Sequence, residues 1–176
     1  VMTLLHASGV NVEDEQKAVS RDVAGIKLEG TYDVKINGKI YDVKSCSPYA
    51  FTTKFMPGFS NVEATDTFGY VTQLYNYAEA EAGTSVGGWI IINKVDGQLL
   101  VVEAQTGEDK FRKKHLNKTE TNIGILQSTT SIDDINKDLT FVPETFYTKP
   151  TGKLVLPSSM KYFSYKKVLF GDQIEL

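Results

Sequence analysis

One cysteine, one tryptophan and five prolines in 176 residues leave little room for several classes of protein. The lone Cys46 excludes an internal disulfide framework and any zinc site built from several cysteines. It also favours a reducing compartment, so a cytoplasmic setting is expected. Apolar runs are short. Trp89-Ile90-Ile91-Ile92 is far below what a bilayer requires, and no membrane association is expected. The opening residues, VMTLLHASG, carry no basic group ahead of the apolar ones and do not read as a secretory signal. Positive charge is not in excess either. With a net charge of -3, a polyanionic partner must be met by local basic patches or by bound metal. No segment repeats or is low in complexity.

What remains is a chain with 41% hydrophobic and 23% charged residues, long enough to bury a core of its own and read as one domain over 1–176. Residues 1–8 have the pattern of a helix end. Val10 to Ile36 is strand-like, with charges gathered at 13–22. Residues 57–65 (PGFSNVEAT) read as a loop, after which Asp66 or Thr67 can cap a helix over FGYVTQLYNYAEAEA that Gly83 stops. GGWIIINKVDGQLLVVEA gives two buried strands joined at a VDG turn. A short helix is predicted at GEDKFRKKHL and another from Ser131 in SIDDINKDL. Strands, helix, strands, helices is the order of a mixed α/β domain built on a sheet.

The richest stretch is GTYDVKINGKIYDVKSC, residues 30 to 46. Asn37-Gly38 between two alternating runs predicts a two-residue hairpin with a type I′ turn. In that register Val34 faces Tyr41, Tyr32 faces Val43, Thr31 faces Lys44, and Asp33 stands directly opposite Asp42. Ile26, Leu28, Tyr32, Val34 and Ile36 then share an apolar face with Tyr41 and Val43, while Glu29, Asp33, Asp42 and Lys44 share the other. Opposed Cβ atoms lie about 4.5–5.5 Å apart, so two aspartates there need a proton or a cation between them. A divalent metal would supply that charge, and oxygen ligands suit Mg²⁺ or Mn²⁺, with Lys44 beside the same ion. The same pattern also describes the solvated face of an edge hairpin, and a bulge of one residue would undo the geometry.

Asp33 followed across a hairpin by Asp42-x-Lys44 resembles the signature of the PD-(D/E)XK nuclease superfamily. GTYDVKINGKIYDVKSCSPYAF is similar to the RecB-like exonucleases, and Gln73-x-x-x-Tyr77 in DTFGYVTQLYNYAEA matches the glutamine–tyrosine helix of that branch. The resemblance covers about residues 6–104 and leaves 105–176 as an accessory segment. It implies a restriction-endonuclease-like core, with a mixed central β-sheet flanked by helices. It also implies a Mg²⁺- or Mn²⁺-dependent deoxyribonuclease acting on single- or double-stranded DNA ends, of phage origin and working in a bacterial cytoplasm. A structure- or sequence-specific endonuclease, or a non-catalytic DNA-binding relative, are the alternatives.

By the same resemblance Asp33, Asp42 and the Val43 carbonyl hold the metal, Lys44 and Gln73 serve the reaction, and Tyr77 meets the strand. Gly69 and Tyr70 on the adjoining turn are further candidates. This branch often adds a histidine from its first helix to the metal shell. His6 is placed for that role, and is otherwise a structural histidine near a chain end. Glu29 is held in reserve, and Glu13 and Glu15 read as solvated. Relatives often end in cysteines that ligate an iron–sulfur cluster. In MKYFSYKKVLF, Met160, Phe163 and Leu169 stand at those places, so no cluster is expected. Lys110, Arg112, Lys113, Lys114, Lys161, Lys166 and Lys167, with Lys94, are the positive charge available to a phosphate backbone.

Overall fold

The computed structural model describes residues 1–82, 84–104 and 108–131, the segments 147–148 and 152–156, and residue 174. The chain parts into two compact units, Val1–Gly124 and Ile125–Leu176. The first holds a five-stranded sheet in the order β1-β2-β3-β4-β5. These strands are Val12–Val23, Ile26–Ile36, Lys39–Cys46, Ser85–Asn93 and Leu99–Glu103. All neighbours are antiparallel except β3 and β4, which run parallel from Lys39↔Ser85 to Cys46↔Asn93. A parallel pair needs a crossover, and residues 47–84 provide it. A helical turn at Pro48–Ala50 (α2), capped by the Ser47 hydroxyl, widens into a π-helical turn at Phe51–Phe55. Then come α3 (Phe59–Ala64) and α4 (Tyr70–Ala80). The structure is thus a mixed α/β domain whose mixed sheet is flanked by helices.

Helix α4 buries Val71, Leu74, Tyr75 and Ala78, at a spacing that makes one stripe. They pack with Phe51, Phe55, Phe59 and Val62 against Tyr32, Ile40, Trp89 and Ile91 of the sheet. Full burial of each large apolar side chain stabilises the fold by about 1.5–3 kcal/mol before entropy is counted. On the opposite face Val34, Ile36 and Ile90 meet Met2 and Leu5 of α1 (Met2–Ala7). Strand β4 is buried along almost its whole length, which is why it reads as a continuous apolar run. Helix α5 (Glu108–Ser128) follows the sheet. In the second unit β6 (Tyr147–Thr148) pairs with β7 (Leu154–Val155). No helix among the described residues is long and apolar enough to cross a membrane.

Three expectations from the sequence need correction. Residues 57–65 are not a loop throughout, since they contain α3. Its N-cap is Gly58 with no side-chain cap, so the usual start signal is missing. The helix expected at GEDKFRKKHL runs to Ser128, because its polar surface hides the period. Tyr32 does not share a face with Val34 and Ile36. It lies in the core under α4, whereas those two face α1. The helix expected from Ser131, the stop at Gly83, the tail MKYFSYKKVLF and Lys161, Lys166 and Lys167 lie outside the described residues.

Candidate active site

The β2–β3 turn has the left-handed backbone that a type I′ hairpin needs, with φ of 48° at Asn37 and 74° at Gly38. The pairing starts in the expected register, Ile36↔Lys39, Lys35↔Ile40 and Val34↔Tyr41, and then stops. It stops because a side chain replaces the backbone. The Val43 N–H donates to Asp33 Oδ2 at 2.7 Å, so the aspartate stands in for a carbonyl and holds the strands apart. Asp33 and Asp42 are therefore not a ladder pair. Their relation is set by that splayed geometry, and the sequence carried no sign of it.

The second Asp33 oxygen, Oδ1, accepts from Gln16 Nε2 at 2.7 Å. Gln16 lies on β1 between the pairs Glu15↔Val34 and Lys17↔Tyr32, with a φ of 47°. A non-glycine residue there carries backbone strain of about 1–3 kcal/mol. The polar run EDEQK that contains it gave no reason to single it out.

Asp42 is 5% exposed. Burial raises its pKa above the ordinary carboxylate range, and the negative Asp33 beside it pushes the same way, against the pull of Lys44. Lys44 Nζ lies 2.8 Å from Asp42 Oδ2 and 4.8 Å from the centroid of the Tyr70 ring. It also makes a long contact, 3.5 Å, to Gln73 Oε1, and Gln73 Nε2 donates to the Tyr77 hydroxyl at 2.8 Å. Gln73 and Tyr77, one turn apart on α4, thus continue a line that begins on the sheet. Tyr77 can lie close over β2 only because residue 30 is glycine. A Cβ there would stand 2.5 Å from Tyr77 Cε1.

Helix α4 is aimed by Asp66, whose two oxygens accept from the Tyr70 and Val71 N–H groups at 3.0 and 2.8 Å. This satisfies the first orphan donors of the helix.

Not every candidate joins this group. His6 is exposed on α1 and pairs with Glu15. Among the described residues no three His, Cys, Asp or Glu side chains gather to hold a metal ion, so His6 is not brought to the aspartates. Glu29 is exposed and paired with Lys27. Glu13 is used structurally, accepting from the Gly38 N–H. On α5, Arg112 is engaged by Glu79 and the Thr84 carbonyl, and Lys114 by Glu63.

Asp33 and Asp42 nevertheless fit a hard divalent cation. Their donors are all oxygen, and Asp33, whose oxygens accept from the neutral Val43 N–H and Gln16 amide, adds a negative charge beside the Asp42–Lys44 pair. Mg²⁺ binds through one or two carboxylates while keeping several waters, so a third protein ligand is not required.

No family model matches this chain, and no curated protein matches it. Among solved structures it is similar to a candidate exonuclease from Eubacterium rectale. The identity is 16% and the TM-score 0.45, over 73% of this chain and 46% of that one. It is also similar to the protein SSO0001, with 16% identity and a TM-score of 0.39 over 80% of this chain and 61% of that one. The chain spans about half to three fifths of the length of these two proteins.

Proposed function

We propose that this chain is a metal-dependent DNA exonuclease that hydrolyses phosphodiester bonds from strand ends. The observation that supports it is the unbroken line of contacts Asp42–Lys44–Gln73–Tyr77, with Asp33 locked beside it by Val43. In this reading Asp33, Asp42 and the Val43 carbonyl would hold Mg²⁺ or Mn²⁺. When bound, such an ion neutralises phosphate charge and lowers the pKa of water.

The chain's own groups do the rest. Lys44, paired with Asp42, holds its ammonium where it would meet negative charge growing on the phosphate oxygens. Gln73 fixes the lysine, since its carbonyl faces Nζ while its amide is spent on Tyr77. The Tyr77 hydroxyl accepts that bond and keeps its own proton to donate to the strand. End-directed cutting follows the resemblance of Gln73-x-x-x-Tyr77 to the RecB-like branch.

The test is cleavage of end-labelled linear DNA and of closed circular DNA, with Mg²⁺, with Mn²⁺ and with a chelator. Loss of the linear form alone, and only with metal, is the expected result. Cutting of the circle would turn the reading to an endonuclease. Intact substrates under every condition would remove nuclease activity. Asp42→Ala and Lys44→Ala are expected to abolish cleavage in a protein that stays folded, and full activity in either would remove this site.

A further inference from the structure

Beyond Lys44 the same surface carries a second group of residues that the reaction does not use. Two ammonium groups stand against the Tyr70 ring, Lys44 Nζ at 4.8 Å and Lys54 Nζ at 4.7 Å from its centroid. Phe68 stacks on Tyr70, with centroids 5.6 Å apart and planes 23° from parallel. Lys54 Nζ is also 5.7 Å from Phe68 and 5.8 Å from Phe55. The cluster is therefore a two-ring stack flanked by cations, one of which belongs to the reaction centre.

Two features of this cluster have no structural explanation. Phe68 is 53% exposed, so its ring covers Tyr70 without being covered itself. Lys54 is partly withdrawn from water, which lowers its pKa, yet it makes no ion pair among the described residues. Its polar contact is the Thr65 carbonyl at 3.5 Å. The nearby Asp66 carboxylate is occupied in capping α4. An exposed phenylalanine alone is ordinary. An exposed ring beside a half-buried cation, whose nearby carboxylate Asp66 is spent on a helix cap, asks for a ligand with a flat face and a negative charge.

We propose that Phe68, Tyr70 and Lys54 seat an unpaired nucleotide of the DNA substrate. Its base extends the stack on the outer face of Phe68, and its phosphate meets Lys54. This rests on the nuclease reading and adds a substrate class to it, a single-stranded end. Inside a duplex every base is stacked on both sides, and the one free face, on the terminal pair, is fixed at the rigid end, whereas every unpaired base can turn its face to Phe68. Lys54 supplies the phosphate contact that fixes the backbone next to Lys44.

The experiment uses the full chain, labelled oligothymidylate and a blunt duplex of equal length. Cleavage kinetics with Mg²⁺ are measured for wild type and Phe68→Ala. Tryptophan emission of Phe68→Trp is titrated with oligothymidylate in chelator. The native Trp89 is fully buried, so a surface signal comes from the new side chain. The expected result is a KM for oligothymidylate raised roughly tenfold or more by Phe68→Ala. The kcat and the duplex KM stay unchanged, and the Phe68→Trp emission is quenched. Lys54→Ala is expected to lower the salt slope of oligothymidylate binding by about one.

Cleavage by wild type with no effect of Phe68→Ala, or with an effect but no quenching, overturns this inference and leaves the nuclease reading standing. An equal effect on the duplex overturns it too. Quenching without any cleavage sinks the nuclease reading and keeps the strand seat, and the absence of both sinks both.

Discussion

Gly30→Ala tests the site from a position that touches neither carboxylates nor lysine. The added Cβ would stand 2.5 Å from Tyr77 Cε1 and 3.3 Å from Cζ and the hydroxyl oxygen. Carbon atoms in contact sit about 3.5–4.0 Å apart, so the ring must withdraw by about 1 Å. Its hydroxyl is held by Gln73 at 2.8 Å, and a move of that size breaks the bond and frees Gln73 from its place against Lys44. Overpacking of this kind costs about 1–3 kcal/mol. Replacing glycine in a strand returns about 0.5–1 kcal/mol, so a net loss of up to about 2.5 kcal/mol remains, about 1.2 kcal/mol at the middle of both ranges. In a domain of this size the middle value lowers Tm by about 2–5 °C.

The same substitution in a Tyr77→Ala background has no ring to strike and should be neutral or slightly stabilising. Thermal unfolding of the four proteins gives the coupling, expected at about 1–3 kcal/mol, and cleavage of linear DNA by Gly30→Ala should fall with the loss of the Gln73 bond. Wild-type stability and cleavage in Gly30→Ala, or an equal penalty with and without Tyr77, would refute the reasoning.

Asp42→Asn should raise Tm at pH 7 while ending cleavage, because the raised pKa of Asp42 means that its ionised form opposes folding. The advantage should shrink as pH falls through the pKa of Asp42 and the wild-type carboxylate takes up its proton, and a lower Tm for the variant at pH 7 would contradict this. His115, stacked on Tyr75 and bonded to Thr72, has its pKa lowered by burial, against the pull of Glu63. A lowered histidine pKa makes folding weaker as pH falls below the ordinary 6.5, so wild type should lose Tm there and His115→Gln should lose less, read from melts across pH 5–8. Asp66→Ala removes the acceptor for two N–H groups of α4 and should cost about 1 kcal/mol of stability, measured in urea, with a fall in cleavage as Tyr70 and Gln73 lose their footing.

The hairpin was legible because its information is local. Asn37-Gly38 fixes the turn, the turn fixes the register, and alternation carries that register as far as Val34↔Tyr41. Beyond it the sequence misleads, since nothing in the letters says that the Asp33 carboxylate will displace its own backbone from the ladder. Helix α4 was legible from its buried stripe and from Asp66, though it is shorter than its pattern at both ends. Gln16 and Lys54 were not, because each acts through a partner far along the chain. Phe68 looked like one more apolar residue at a helix start until its exposure was known.

The parallel pairing of β3 with β4 orders events during synthesis. The hairpin that bears both aspartates can form as soon as residue 46 has left the ribosome, since the pairs from Ile36↔Lys39 to Val34↔Tyr41 are local. Its outer edge, residues 39–46, then waits with bare N–H and C=O groups until residues 85–93 arrive to cover it. In that interval the strand that carries Asp42 and Lys44 is an unpaired edge of the nascent sheet. The helical crossover must close before either is shielded, so its completion ends the exposure of that edge.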